Sequence, residues 1–333
     1  MDDFATKIDD HTIQFVRILP GPIEKVWSFL EDSDKRGQWF AKGERSFPEL
    51  SPEERGSLPK RTFSPPDGLP GTLFNGMINP LVPFALSGVL WYQGENNVRR
   101  AYEYRIAFPT LINGWREKWG RDDLPFYFCQ LCNNFAKPAM PGESTWAELR
   151  ESQSLALQLP STGQAVTIDL GEAGDLHYRD KKTVGHRLFL IAEAKHFGRP
   201  VAFSGPTYQS VAFESNRARI RFDHADGGLA AAKLPDIYNV KSLTGETAPL
   251  VRNSPDSELE GFAICGADRK WVWANAKIDQ DSVVVWSDRI PEPVAVRYAW
   301  ADNPTCNLCN GAGLPASPFR TDHFPLTTEG KHF

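Results

Sequence analysis

From Leu86 to His196, short apolar runs alternate with stretches of helical period, and no other feature narrows the possible folds as far. The runs Leu86–Tyr92, Leu124–Leu131 and Gln164–Leu170 are short and bounded by polar, Gly or Pro residues, as strands buried on both faces are. Arg100–Trp119, Trp146–Leu159 and Lys182–His196 read as helices; in the first, Tyr104, Phe108, Leu111 and Trp115 fall on one face. Strands taking turns with helices predict an α/β domain over residues 73–200, with a mainly parallel sheet between helix layers.

Past residue 200 the helical periods stop. Ala218–Phe222, Gly261–Cys265, Trp271–Asn275, Ser282–Trp286 and Val294–Tyr298 are short strands separated by turns. Residues 201–333 are therefore expected to form a β-rich, sandwich-like domain packed on the α/β part. The other end has a different texture. Thr12–Leu19 alternates like a strand, Pro20-Gly21 breaks it, and Pro22–Leu30 reads as a helix with Ile23, Val26, Trp27 and Leu30 as its apolar stripe. The order strand, Pro20-Gly-Pro22-Ile-Glu-Lys-Val-Trp27, helix, Gln38-Trp-Phe40 resembles the opening of START-like helix-grip proteins, including activators of the heat-shock ATPase. That resemblance marks residues 1–45 as a START-like N-terminal fragment. Ser51-Pro52, Pro59-Lys60, Ser64-Pro-Pro66 and Leu69-Pro-Gly71 make residues 46–72 a Pro-rich linker.

Thirty-seven basic against 42 acidic residues give a formal charge of −5, without the basic stripe of a nucleic-acid binder. No apolar run reaches the roughly 18 residues a membrane helix needs. The acidic start Met1-Asp-Asp-Phe4 lacks signal-peptide character, so the cytoplasm is the expected compartment as the sequence stands. The sequence does not specify an oligomeric state. The five cysteines include Cys129-Gln-Leu-Cys132 and Cys306-Asn-Leu-Cys309, and four thiolates suffice for tetrahedral zinc. The first pair lies in an apolar strand, where positions three apart face opposite ways. Neither pair has a zinc knuckle's Gly or Pro turn. Free, buried or partly buried thiols are the expectation, with no metal.

Two polar segments stand at strand ends. Gly88-Val-Leu-Trp-Tyr-Gln-Gly-Glu-Asn-Asn97 puts Gln93, Glu95 and Asn97 just past an apolar strand, at the carboxyl edge where open α/β sheets place their sites. Ala165–His177 again runs from a strand into a polar loop, where Asp175 and His177 stand two apart. A carboxylate beside an imidazole fixes its tautomer and stabilises its charged form, the base half of a hydrolytic triad. Trp91, beside Gln93, is the tryptophan best placed to stack on a sugar, whereas Trp115, Trp271, Trp273 and Trp286 read as core.

Together with Phe74–Leu81, Arg100-Ala-Tyr-Glu-Tyr-Arg105, Trp146-Ala-Glu-Leu-Arg-Glu151, Ala299–Pro304 and Leu314–Arg320, these segments resemble the sialate O-acetylesterase family of SGNH hydrolases. The likeness is collinear from about residue 70 to 325. It implies a flavodoxin-like parallel sheet and hydrolysis of O-acetyl esters on a sugar such as sialic acid, through a serine acyl-enzyme. It also implies no cofactor and an acetylated carbohydrate as partner. His177 becomes the general base and Asp175 its orienting acid. Glu172 and Asp169 stay as alternatives, because the wider superfamily spaces the pair three apart. Gln93 falls in the block that supplies an oxyanion-hole side chain, and Glu95 and Asn97 brace that turn or touch substrate. Tyr178 departs from the Pro usual after the histidine. Family members are often secreted or periplasmic.

The family's Gly-Gln-Ser-Asn nucleophile segment belongs ahead of Asn75-Gly-Met-Ile78, where the START-like and Pro-rich stretches stand. Neither Gly-Gln-Ser nor Gly-Asp-Ser occurs anywhere in the chain. The nearest substitute, Gly142-Glu143-Ser144, precedes Thr145-Trp-Ala-Glu148 and reads as a helix cap with a capping box. The sheet is thus expected to be truncated on its N-terminal side, and ester hydrolysis to be impaired. A non-catalytic carbohydrate-binding remnant and a START-like ligand-binding or cochaperone module are the alternatives.

Overall fold

The structure, a computed structural model, describes the strands Ala5–Asp9 (β1) and Thr12–Phe15 (β2) and residues 73–82, 84–239 and 247–331. The expected helix at Pro22–Leu30 and the Pro-rich stretch 46–72 lie outside the described residues. The chain separates into two compact units, 1–85 and 86–333, so the α/β and β-rich stretches share the second. In the first unit β1 and β2 pair antiparallel, and the Asn-Gly-Met-Ile segment forms the short helical turns Phe74–Ile78 and Asn79–Leu81.

In the second unit β3 (Val89–Trp91), α1 (Ala101–Trp119), β4 (Phe126–Cys129), α2 (Thr145–Ser154), β5 (Thr162–Ala165) and α3 (Lys181–Lys195) follow in order. The strands form a parallel sheet, β3-β4-β5, with Val89 opposite Phe126 and Tyr127 opposite Gly163. Phe126 and Phe128 join Tyr104, Phe108 and Ile112 of α1 and Trp146 and Leu149 of α2 in one buried cluster. Tyr127, Cys129 and Ala165 join Val184, Leu188 and Ile191 of α3 in another. The two-residue period of the strands thus gives each helix layer its own core. Burial on both faces is why β4 reads as an unbroken apolar run; β5, expected over 164–170, instead occupies Thr162–Ala165. At Gly163 the Ile191 Cγ2 methyl lies 2.3 Å from where a Cβ would stand, so α3 packs on bare backbone there.

The β-rich part comprises β6 (Thr207–Glu214), β7 (Arg217–Asp223), β8 (Leu229–Ala231), β9 (Ile237–Asn239), β10 (Thr247–Pro249), β11 (Phe262–Cys265), β12 (Val272–Trp273), β13 (Asn275–Asp279), β14 (Ser282–Trp286), β15 (Ala295–Tyr298), β16 (Leu308–Asn310) and β17 (Phe319–Arg320). Two four-stranded antiparallel sheets, β12-β11-β15-β17 and β13-β14-β7-β6, dominate it. Phe262, Ile264, Val296 and Tyr298 of one sheet meet Ala218, Ile220, Val283 and Val285 of the other in a single core, the arrangement of a sandwich. The strand expected over Trp271–Asn275 is broken at Ala274: Trp273 pairs in one sheet and Asn275 begins a strand of the other.

Val166 and Ile168, just past β5, bury themselves in the sandwich core, which anchors the loop that follows. A chain of ion pairs adds a second anchor. Arg297 and Asp322, both buried in the sandwich, pair at 2.9 Å, and Arg320 bridges Asp322 at 3.1 Å to Glu151 of α2 at 3.0 Å. Among the described residues no helix is long and apolar enough to cross a membrane.

Candidate active site

Beyond β3 the chain turns through Tyr92-Gln-Gly-Glu95 into a helical turn over Glu95–Arg100. Tyr104 on α1 donates its hydroxyl to Gln93 Oε1 at 2.9 Å, and Gln93 Nε2 donates to Asn97 Oδ1 at 2.8 Å. The amide is held at both ends, and among the described residues one of its two N–H donors is not taken up. Burial, opposed by a contact to Trp91 and assisted by the charge of Glu95, pushes the Tyr104 phenol up to about 12, so it remains a donor at neutral pH. Gly94 is buried, with Gln153 Nε2 3.0 Å and the Leu131 and Leu149 methyls 3.2 Å from where a Cβ would project.

The second loop follows β5. Asp175 Oδ1 accepts the backbone N–H of His177 at 2.8 Å and lies 3.7 Å from His177 Nδ1, and the imidazole is 93% exposed. The two other carboxylates considered for this role brace the loop. Glu172 accepts from Arg179 N at 3.0 Å and Arg179 Nε at 2.8 Å. Asp169 grips Arg187 with both oxygens, at 2.6 and 2.7 Å, and Arg187 also donates to Val166 O.

The immediate neighbours of Gln93 and His177 touch. The Tyr92 and Tyr178 rings meet edge to face with centroids 6.4 Å apart. Lys181 Nζ donates to the Tyr92 hydroxyl at 3.0 Å and lies over both rings, 3.9 Å from the centroid of Tyr178 and 4.8 Å from that of Tyr92. The loops after β3 and β5 therefore converge at the carboxyl edge of one sheet. Burial is the main cause that raises both phenols well above their ordinary value, so Lys181 carries the charge of this trio.

Behind the two loops stands a polar hub that sequence reasoning missed. Buried Gln153 of α2 accepts the Leu131 N–H at 2.9 Å and donates to the carbonyls of Gln93 and Cys129, both at 3.2 Å. Asn133 Oδ1 accepts the Gly171 N–H at 2.7 Å, and Asn134 Nδ2 donates to Glu172 O at 2.8 Å. Fully buried Arg150 donates to the carbonyls of Leu131, Cys132, Ala301 and Asp302, tying the end of β4 to the sandwich. Burial lowers its pKa to about 10, which leaves it charged at neutral pH. The signal for the asparagines was present: Asn133-Asn134 follows an apolar strand just as Gln93-Gly-Glu95 does.

Several expectations need correction. Trp91 does not line the loops: its ring packs among Phe108, Trp115 and Phe126 on the α1 side of the sheet. Cys129 and Cys132 do not face opposite ways, because β4 ends at Cys129 and both thiols lie in the α3-side cluster. All five cysteines are free, and among the described residues no group of three or more His, Cys, Asp or Glu side chains is arranged to hold a metal. Ser144 is the N-cap of α2, accepting the Ala147 N–H at 3.0 Å and donating to Asp302 Oδ1 at 2.5 Å. Glu148 forms no capping box with it. It is buried and accepts from the backbones and hydroxyls of Thr327 and Thr328 instead. Ser152 is also buried, with its hydroxyl on the carbonyls of Ala101 and Glu148.

The parallel sheet thus carries helices on both faces, and the loops bearing Gln93 and His177 leave its carboxyl edge, the architecture of an α/β domain with a site at that edge. Residues 66–191 match the family described as carbohydrate esterases of the sialic acid-specific acetylesterase kind, so this segment resembles a domain of that family. The chain is 31% identical over 337 residues to a sialate O-acetylesterase of Rattus norvegicus, covering 90% of this chain and 58% of the relative. It is 28% identical over 295 residues to the Pongo abelii sialate O-acetylesterase, covering 79% and 52%. A solved carbohydrate acetylesterase from Xanthomonas citri superposes with a TM-score of 0.64 at 40% identity, over 76% of this chain and 54% of that one. The chain thus spans a little over half the length of the relatives it matches.

Proposed function

We propose that the chain carries the base and oxyanion side of an O-acetylesterase site for acetylated sugars of the sialic acid kind. What supports this most is that the loops carrying Gln93 and His177 meet through the Tyr92 and Tyr178 rings, with the Gln93 amide tethered on one loop and Asp175 beside His177 on the other. In the full reaction a serine hydroxyl attacks the acetyl carbonyl while His177 takes its proton, and Asp175 stabilises the imidazolium. The spare Gln93 N–H meets the oxyanion, a contact worth about 10²–10³ in rate. Collapse expels the sugar hydroxyl with the proton from His177, and water then repeats the sequence on the acetyl-enzyme.

Turnover by this chain is proposed to be impaired. No serine stands in the nucleophile's sequence context, and the hydroxyls of Ser144 and Ser152 are committed to structure. Those two commitments favour a second reading, a site that binds acetylated sugar without cleaving it. Acetate release from an O-acetylated sialic acid, followed by NMR alongside saturation transfer from protein to sugar, tests both. The expected result is saturation transfer with acetate appearing at the buffer rate. Absence of transfer from the protein to any acetylated sugar would end both readings.

A further inference from the structure

Lys181 opens α3 and stands exposed beside the candidate centre. Its Nζ rests on the Tyr92 hydroxyl and over two aromatic faces, and no carboxylate among the described residues lies within ion-pairing distance of it. Of the neighbouring arginines, Arg179 is taken by Glu172 and Arg187 by Asp169. Asp180, next to Lys181 in sequence, spends its carboxylate on the backbone N–H and hydroxyl of Thr183. An ammonium held by two neutral tyrosines is fixed in place but not neutralised, and two of its three N–H donors remain for a ligand. The N-terminal end of the 15-residue α3 adds to the positive field there. Tyr92 offers an exposed ring edge alongside.

Building on the esterase-type reading above, we propose that Lys181 and Tyr92 form a subsite for the carboxylate of the substrate sugar, so that this chain selects acidic O-acetylated sugars over neutral ones. The carboxylate accepts from Nζ in a charge-assisted bond, while the sugar ring lies against Tyr92. The solved Xanthomonas citri relative is described only as a carbohydrate acetylesterase, and Lys181 gives this chain a physical means of discriminating by charge.

The test is a set of titrations on the full chain, in wild-type, Lys181→Met and Lys181→Arg forms. The ligands are O-acetylated N-acetylneuraminate, its methyl ester and an O-acetylated neutral hexose. Esterification and Lys181→Met should each weaken binding about tenfold, with no further loss when combined. Lys181→Arg should restore most of the affinity, and added salt should shrink the gap. Equal affinity of the wild type for the acid and its methyl ester would overturn the subsite while leaving the carbohydrate reading standing. So would a Lys181→Met protein that loses stability but keeps its preference. Failure of every acetylated sugar to bind would overturn both.

Discussion

The buried carboxamide of Gln153 on α2 donates to the carbonyl of Gln93, 3.2 Å away, while its own oxygen takes the N–H of Leu131. One side chain therefore sets the separation between the end of β3 and the end of β4. Gln153→Leu removes both partners and leaves buried backbone groups unsatisfied, a loss of about 1–3 kcal/mol per group. Thermal unfolding should show a midpoint lowered by roughly 2–4 °C for each kcal/mol lost. Gln153→Glu, which cannot donate to the Gln93 and Cys129 carbonyls, should also be destabilised. A midpoint unchanged in both variants would mean that the bridge does not hold the loop.

Gly171 brings the second loop against Asn133. A Cβ there would stand 1.8 Å from the Asn133 carbonyl oxygen, so backbone must move to admit one. Gly171→Ala should destabilise the protein and shift the His177 imidazole resonances, because the loop from Gly171 to Arg179 carries both Asp175 and His177. Unchanged resonances would show that the loop is placed independently of this contact.

Cys129 and Cys132 give the protein a dependence on alkaline pH. Burial pushes their thiols up to about 12 and about 11, from an ordinary value of 9.0 in the unfolded chain. Above pH 9 the unfolded chain loses these protons while the folded chain keeps them, so stability falls as pH rises. Denaturant midpoints measured from pH 8 to 10.5 should decline more steeply for the wild type than for a Cys129→Ala, Cys132→Ala double variant. Parallel curves would contradict the burial of these thiols.

The Arg297–Asp322 pair behaves in the opposite sense. Burial alone would raise the Asp322 carboxyl, but the hydrogen bonds and charge of Arg297 outweigh it and hold the pKa below the usual 3.8. Its contribution is present at neutral pH and is lost as pH falls through that lowered value. Asp322→Asn leaves the buried Arg297 guanidinium only the half-exposed Glu143, at 2.9 Å, and should cost up to about 3–5 kcal/mol, whereas Arg297→Met with Asp322→Leu should cost less than the sum of the single changes. Equilibrium unfolding of the three variants decides this. Strict additivity would show that the two residues do not act as a pair.

How far the sequence spoke depended on what each residue's partner was. The strand β4 was legible because burial on both faces leaves an unbroken apolar run, whereas β5, expected over 164–170, lies at Thr162–Ala165, and the apolar Val166 and Ile168 past it pack into the sandwich core instead. Gln93 follows closely on the end of β3, whereas His177 lies well into the loop after β5. Trp91 was misjudged because alternation along β3 carries its ring to the α1 side, and three residues are too short a strand to reveal its phase. Glu148, Arg150 and Gln153 were invisible in a different way. Each is polar in a helix and would ordinarily face water, but each meets its partner in a segment that only the tertiary fold brings near, as when Arg150 reaches Ala301 and Asp302. The broken strand at Ala274 likewise depends on two sheets exchanging the chain.

Under the proposed function, this chain holds a base and an oxyanion donor without a serine in the nucleophile's sequence context. Losing the serine of a comparable triad costs about 10⁶-fold in turnover, as in the subtilisin case. The most direct measurement is labelling of the purified full chain with a fluorophosphonate probe, read by intact mass, together with acetyl-ester turnover of the wild type and of His177→Ala. The expected result is no covalent adduct and a low turnover that His177→Ala leaves nearly unchanged. A stoichiometric adduct on any serine, with turnover abolished by His177→Ala, would contradict it.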